Sequence, residues 1–238
     1  MLQQTQVSRV LPAYTAFLRR FPTLAALSRA ALSDVLRAWS GLGYNRRARD
    51  LHRIARLHPR ELPATRAALD ALPGVGAYTA GAVSCFSRGE KVAFADTNIR
   101  RVLGRALLGR IATEREAVAL DERMLPRTGA DRWHHALMDL GATVCIARAP
   151  RCDACPIASA CRSRGRAAPP APRHQASFAT SDRRVRGRIV AALRDAPRGL
   201  KVSELKAAIG DERVTRLALA LERDGLAVQR EGRVRLPD

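Results

Sequence analysis

The chain has 238 residues, 47% apolar and 27% charged, which is enough apolar matter to bury a core and too much for a disordered protein. Its 42 Lys and Arg outweigh 22 Asp and Glu for a formal charge of +20, and only Lys91, Lys201 and Lys206 are lysines. That balance excludes an acidic, anion-repelling surface and points first to nucleic acid and second to an anionic membrane; arginine's planar fork suits phosphate, although a GC-rich genome explains the same bias.

The amino terminus, Met1-Leu2-Gln3-Gln4-Thr5-Gln6, lacks the charged and apolar regions of a secretory signal. The longest uncharged run, residues 71–87, is broken by Pro73, Gly74, Gly76 and Gly81, so no membrane span is expected there. A cytoplasmic location is expected, with cysteines that bind metal or stay free. Apolar periodicity predicts helices over 24–39, 46–57, 64–71, 79–86 and 97–108, and strand-like alternation is scarce, so the main body is read as all-α. Residues 162–180, with Arg-Ala-Ala-Pro-Pro-Ala-Pro-Arg, read as an extended linker. Beyond it, helices are predicted over 185–193, 202–209 and 214–223. An alternating segment over 226–236 turns at Glu231-Gly232 as a hairpin does. Three helices and a basic hairpin make a winged helix-turn-helix, which binds DNA or docks proteins.

Three features carry chemistry. Cys145, Cys152, Cys155 and Cys161 give C-x6-C-x2-C-x5-C, four thiols in one compact run. Tetrahedral zinc usually shows two C-x2-C pairs set further apart, so the spacing favours a 4Fe-4S cluster over zinc or accidental cysteines. Cys85, alone in an apolar stretch, reads as a core residue. Leu72-Pro73-Gly74-Val75-Gly76 lies between two predicted helices; its backbone N–H groups, beside a helix amino end, suit a phosphate, and an ordinary interhelical turn is the plainer reading. About twenty residues on, Asp96 precedes a helix, where capping is its plain role.

In this order, the hairpin, Asp96 with Asn98 two residues later, and the cysteine cluster resemble the helix-hairpin-helix DNA glycosylase superfamily, of the endonuclease III-like fold. Met-Leu-Gln-Gln-Thr-Gln-Val at 1–7, Trp-Ser-Gly-Leu-Gly-Tyr at 39–44 and Ala-Leu-Met-Asp-Leu-Gly-Ala at 136–142 are similar to the MutY-type adenine glycosylases, and the likeness covers roughly residues 1–161. The resemblance implies a helical barrel with the helix-hairpin-helix over 1–110 and a 4Fe-4S loop on Cys145, Cys152, Cys155 and Cys161 within 111–161. A linker over 162–181 and a winged-helix domain over 182–238 complete the expected organisation. The resemblance further implies that Asp96 stabilises the oxocarbenium-like sugar as the glycosidic bond breaks, that Tyr78 lies beside that carboxylate, and that Asn98 positions it. Related bifunctional lyases have a Schiff-base lysine where Tyr78 stands, so a monofunctional enzyme is expected.

The same resemblance assigns DNA contacts. Gln3, Gln4 and Thr5 match residues that enter the duplex, and Leu42 and Tyr44, flanking Gly43, match a wedge that fills the gap left by an extruded base. Arg46, Arg47 and Arg49 are candidates for phosphates, as are the N–H groups of Gly74, Val75 and Gly76, and His135 is a candidate contact to the flipped base. The expected partner is double-stranded DNA carrying adenine opposite 8-oxoguanine or guanine, met by a monomer near the bacterial nucleoid. Thymine or uracil mismatches, or DNA binding without catalysis, remain alternatives. The family's general-acid glutamate lies just upstream of the residue matching Met1. Either a longer natural protein is expected or one that binds without cutting, and the chain as given should bind DNA but barely cleave. A tail of this size is too small for the Nudix-like domain by which many relatives verify 8-oxoguanine.

Overall fold

The structure is a computed structural model that describes residues 1–2, 5–166 and 177–238. These form two compact units, residues 1–62 with 177–238, and residues 63–166. The first unit opens with α1 (Val7–Arg20), α2 (Leu24–Arg29), α3 (Leu32–Ala38) and α4 (Arg46–Leu57). The sequence reading missed α1, which contains Pro12; its Phe17 meets Phe21 and Trp39 edge-on, with centroids 5.0 and 5.9 Å away.

The single helix expected over 24–39 is two helices, and the reason is long-range. At Ala30 the backbone turns extended (ψ 149°), and its carbonyl takes a hydrogen bond from Nε2 of buried His52, 3.0 Å away. In the first turn of α3, the Ser33 amide donates to the carbonyl of Pro237, at the far end of the chain, over 2.8 Å. Both partners lie outside any local window, and both satisfy groups that a helix break would otherwise orphan.

The second unit contains α5 (Arg66–Asp70), α6 (Ala77–Arg88), α7 (Thr97–Leu103), α8 (Glu114–Met124) and α9 (Ala130–Thr143). The helix expected over 97–108 widens into a π-helical turn at Gly104–Leu108. A Cβ on Gly104 would lie 2.3 Å from the Ala112 amide nitrogen, so only glycine lets the chain return this closely. The capping box of Thr113 and Glu116 starts α8. Phe94, Ile99, Val102, Leu103 and Leu137 form the core together with Cys85, which is the buried core residue expected. Beyond α9 come two single 3-10 turns, Cys152–Ala154 and Ala158–Ala160.

The chain then returns to the first unit. Part of the expected linker, residues 167–176, lies outside the described residues. The carboxy-terminal segment comprises α10 (Asp182–Arg194), β1 (Leu200–Lys201), α11 (Val202–Ile209), α12 (Val214–Arg223), β2 (Val228–Arg230) and β3 (Arg233–Arg235). The strands make an antiparallel sheet of order β1-β3-β2. Glu231 (φ 50°) and Gly232 (φ 71°) form its left-handed two-residue turn, as the hairpin reading required; β1, two residues long, left no sequence signal.

The expected boundaries at 110 and 182 do not mark compact units. Val185, Ile189 and Leu193 of α10 share one hydrophobic cluster with Val35 and Leu36 of α3, so the carboxy-terminal segment and the first four helices bury a common core. Among the described residues no helix is long and apolar enough to cross a membrane.

Candidate active site and DNA interface

Asp96 is the N-cap of α7. Its Oδ1 accepts from the amides of Asn98 (2.8 Å) and Ile99 (2.7 Å), and its Oδ2 accepts from Asn98 Nδ2 (3.0 Å). A charged cap at a helix amino end is held by both hydrogen bonds and the helix dipole, which fixes the carboxylate and keeps it half-exposed. The approach to it is pinned as well. Buried Asp121 accepts from the Phe94 amide (3.2 Å), His134 Nε2 (2.7 Å) and Trp133 Nε1 (2.7 Å). The Phe94 ring stacks on His134 at 4.0 Å and meets Tyr78 edge-on at 5.7 Å.

Tyr78 sits in the first turn of α6, just after the hairpin. Burial, and then the charge of Asp96, push its pKa above the ordinary phenol value, so the hydroxyl stays a protonated donor beside that carboxylate throughout the neutral range. Asp96, Asn98 and Tyr78 are thus neighbours in the structure.

The sequence reading missed Arg101. This arginine is 9% exposed and lies on the inner side of α7. Its Nη2 donates to Asn98 Oδ1 (2.8 Å) and to the Gly141 carbonyl (2.6 Å) in the last turn of α9, and its Nε donates to the Cys145 carbonyl (2.6 Å). Burial lowers its pKa, while Cys145 and Asp96 work the other way. The Asn98 amide is therefore held at both ends, donating to the carboxylate and accepting from the guanidinium. Gly141 packs against it so tightly that a Cβ there would come within 2.5 Å of Asn98 Cβ. The available signal was spacing: Asn98, Arg101 and Arg105 recur at i, i+3 and i+7, along one face of α7 and its continuation.

All four cysteines of the expected cluster line one pocket, together with Arg105, Arg151, Ser163 and Arg164. Arg105 Nη1 approaches Cys145 Sγ at 3.6 Å and donates to the Ile146 carbonyl (2.9 Å), and its Nη2 donates to the Ala147 carbonyl (2.7 Å). Among the described residues no group of three or more His, Cys, Asp or Glu side chains is placed to hold a metal ion. An all-thiol ring with arginine on its wall, and with the buried Ser163 hydroxyl lacking a protein partner beside it, fits a large anionic group.

The hairpin residues form a turn in which Val75 N–H donates to the Leu72 carbonyl (3.1 Å) and Gly74 is left-handed (φ 72°). Gly76 is exposed and caps α6, whose first N–H groups have no acceptor within the helix. His135 is exposed and stacks on Phe86 at 4.4 Å.

In the other unit, Ser40 to Asn45 form a tight loop in which Gly41, Gly43 and Tyr44 all have positive φ. Leu42 is 4% exposed and belongs to the hydrophobic core, the helix-end packing role, whereas Tyr44 is 45% exposed. Arg47 is not a free phosphate clamp either. It donates to the carbonyls of Met1 (3.2 Å) and Leu42 (3.3 Å) and to Thr5 Oγ1 (3.3 Å), and its guanidinium covers the Tyr44 ring at 5.2 Å. Arg49 pairs with Asp50, and exposed Arg46 with Asp224. Gln3 and Gln4 lie outside the described residues.

The model of the HhH-GPD superfamily of base excision DNA repair proteins matches residues 1–124. The adenine DNA glycosylase of Mycobacterium tuberculosis is 44% identical over 220 residues, which is 87% of this chain and 72% of that protein. The adenine DNA glycosylase of Mycolicibacterium smegmatis is 45% identical over 204 residues, 82% and 69% of the two chains. Among solved structures, a thermostable thymine-DNA glycosylase is 27% identical with a TM-score of 0.61, covering 69% of this chain and 80% of its own. A trapped endonuclease III–DNA covalent intermediate shares the fold, with a TM-score of 0.62 at 24% identity over 69% and 80% of the two chains.

Proposed function

Because the chain belongs to the HhH-GPD base excision DNA repair superfamily, and within it to the adenine DNA glycosylases, we propose that it removes adenine paired with 8-oxoguanine or guanine by hydrolysis alone. The observation that carries this reading is Asp96. A fixed, half-exposed carboxylate can offset the positive charge that develops at the sugar as the glycosidic bond breaks, and it needs no reorganisation to do so. Tyr78, a protonated phenol, stands where a Schiff-base nucleophile would otherwise stand, which supports base release without strand cleavage. The N–H groups around Gly74, Val75 and Gly76 are proposed as a phosphate site that reads no base and His135 as an imidazole for the extruded base; in the other unit, Arg46 is the proposed phosphate cation and Tyr44 the side chain proposed to fill the gap left in the stack.

Single-turnover assays on duplexes holding A, T or U opposite guanine or 8-oxoguanine test the substrate. In protein that also carries the family's general-acid glutamate, adenine release is expected, fastest opposite 8-oxoguanine; release of thymine or uracil without adenine would put the chain with mismatch glycosylases of the thymine type.

Cys145, Cys152, Cys155 and Cys161 are proposed to hold a 4Fe-4S cluster, with Arg105, Arg151 and Arg164 offsetting its negative charge. When bound, the cluster would supply four iron–thiolate bonds that order the loop presenting Arg148 and Arg151 to phosphate. Protein purified without air is expected to be brown, to absorb near ~400 nm and to carry about four irons. A single tight zinc in place of iron would overturn the assignment.

A further inference from the structure

The carboxy-terminal segment does more than share a core with the first four helices: it grips the loop that carries Tyr44. Arg194, at the end of α10, donates from Nη1 to Ser40 Oγ (2.9 Å) and from Nη2 to Asn45 Oδ1 (3.4 Å), one anchor on each side of Gly41-Leu42-Gly43-Tyr44. Its own carbonyl accepts from Arg37 Nε in α3 (3.3 Å). Arg183, three turns earlier on the same face of α10, donates to the Tyr44 hydroxyl (3.3 Å). Just past the loop, Arg46 makes a two-pronged bond to the Asp224 carboxylate (2.7 and 2.8 Å), which Arg186 also reaches, and Arg49 donates to the Asp224 carbonyl.

We propose that the winged-helix-like segment is a brace for the insertion loop, with Arg194 as the positioning residue that holds Tyr44 in its working conformation. The physical need lies in the backbone. Tyr44 sits at φ 47°, a left-handed conformation that is unfavourable for a non-glycine residue and persists only where the surroundings enforce it. Gly41 and Gly43, also left-handed, give the loop freedom to relax into other shapes. Within the loop's own neighbourhood, Trp39 Nε1 to the Gly43 carbonyl (3.0 Å) and the Arg47 stack hold one side. The anchors at Ser40, Tyr44 and Asn45 that close the other side come from α10. A side chain that must enter a base stack gains from being held in place before contact, because the ordering cost is then not charged against binding.

This inference rests on the reading of Tyr44 as the inserting side chain, and the test separates the two. A duplex with 2-aminopurine at the target position, opposite guanine, reports base extrusion by a rise in fluorescence. With each variant's fold checked by circular dichroism, Arg194→Ala and Arg183→Met are expected to lower the extruded population about tenfold while changing affinity for matched duplex less than threefold. Arg194→Lys, which keeps one donor, should recover part of the signal. Should Arg194→Ala fail to fold, exposed Arg183→Met gives the reading alone. If Tyr44→Ala abolishes extrusion while both arginine variants retain it, the brace is wrong and the insertion reading stands. If Tyr44→Ala also leaves extrusion unchanged, the insertion reading fails and takes the brace with it.

Discussion

In protein that also carries the family's general-acid glutamate, Asp96→Asn is expected to leave DNA affinity within about threefold and to lower single-turnover adenine release by roughly 100- to 1,000-fold. The substitution is close to silent for folding, because asparagine caps a helix about as well as aspartate and its Oδ1 can still accept from the amides of Asn98 and Ile99. Two things are lost. The negative charge that offsets the developing oxocarbenium disappears, and the bond from Asn98 Nδ2 to Asp96 Oδ2 is put at odds, since an amide nitrogen there would face another amide nitrogen. Asn98 cannot simply flip, because its Oδ1 is already engaged by Arg101. The pair of measurements is a binding titration with uncleavable duplex and a single-turnover time course. A rate within threefold of the unaltered protein would remove Asp96 from the chemistry.

The elements legible in the sequence were those whose cause is local. The cysteine run, the glycine hairpin and the cap at Asp96 announce themselves by residue type and spacing; the four cysteines line one pocket, Gly76 caps α6 and Asp96 caps α7. Helices with a clean apolar face, such as α4 and α12, were also legible. What the sequence hid depends on distant partners. The break at Ala30 answers to His52 and Pro237, and the burial of Leu42 answers to a core assembled from both ends of the chain. The boundary at 182 was drawn from a Pro-rich composition, yet composition does not say which apolar face α10 will meet. Arg101 was hidden differently. In a chain where 39 of the 42 basic residues are arginine, one buried guanidinium has no signature except its helical spacing with Asn98 and Arg105.

That arginine carries the other large effect. Arg101→Met is expected to cost roughly 3 kcal/mol of stability and to lower adenine release well beyond what unfolding accounts for. The side chain is nearly as long, so little volume is lost; what goes is a buried donor set. The Gly141 carbonyl is one of the last four of α9, which have no acceptor role within the helix, and a cation there is favoured by the helix dipole. Removing the guanidinium strands that buried carbonyl and leaves the half-buried Cys145 carbonyl and Asn98 Oδ1 without this donor. Two consequences diverge and can be measured apart. Through Cys145 the loop that presents the four thiols loosens, which is read as a lower iron content and a melting temperature down by about 10 °C or more. Through Asn98 the carboxylate of Asp96 loses its fixed neighbour, read as a slower release step in the fraction of protein that retains iron. Arg101→Lys keeps the charge but cannot span three acceptors with one ammonium, so it should fall between the two. Normal release by iron-loaded Arg101→Met would mean that Asn98 holds Asp96 without help, and that Arg101 serves only the end of α9.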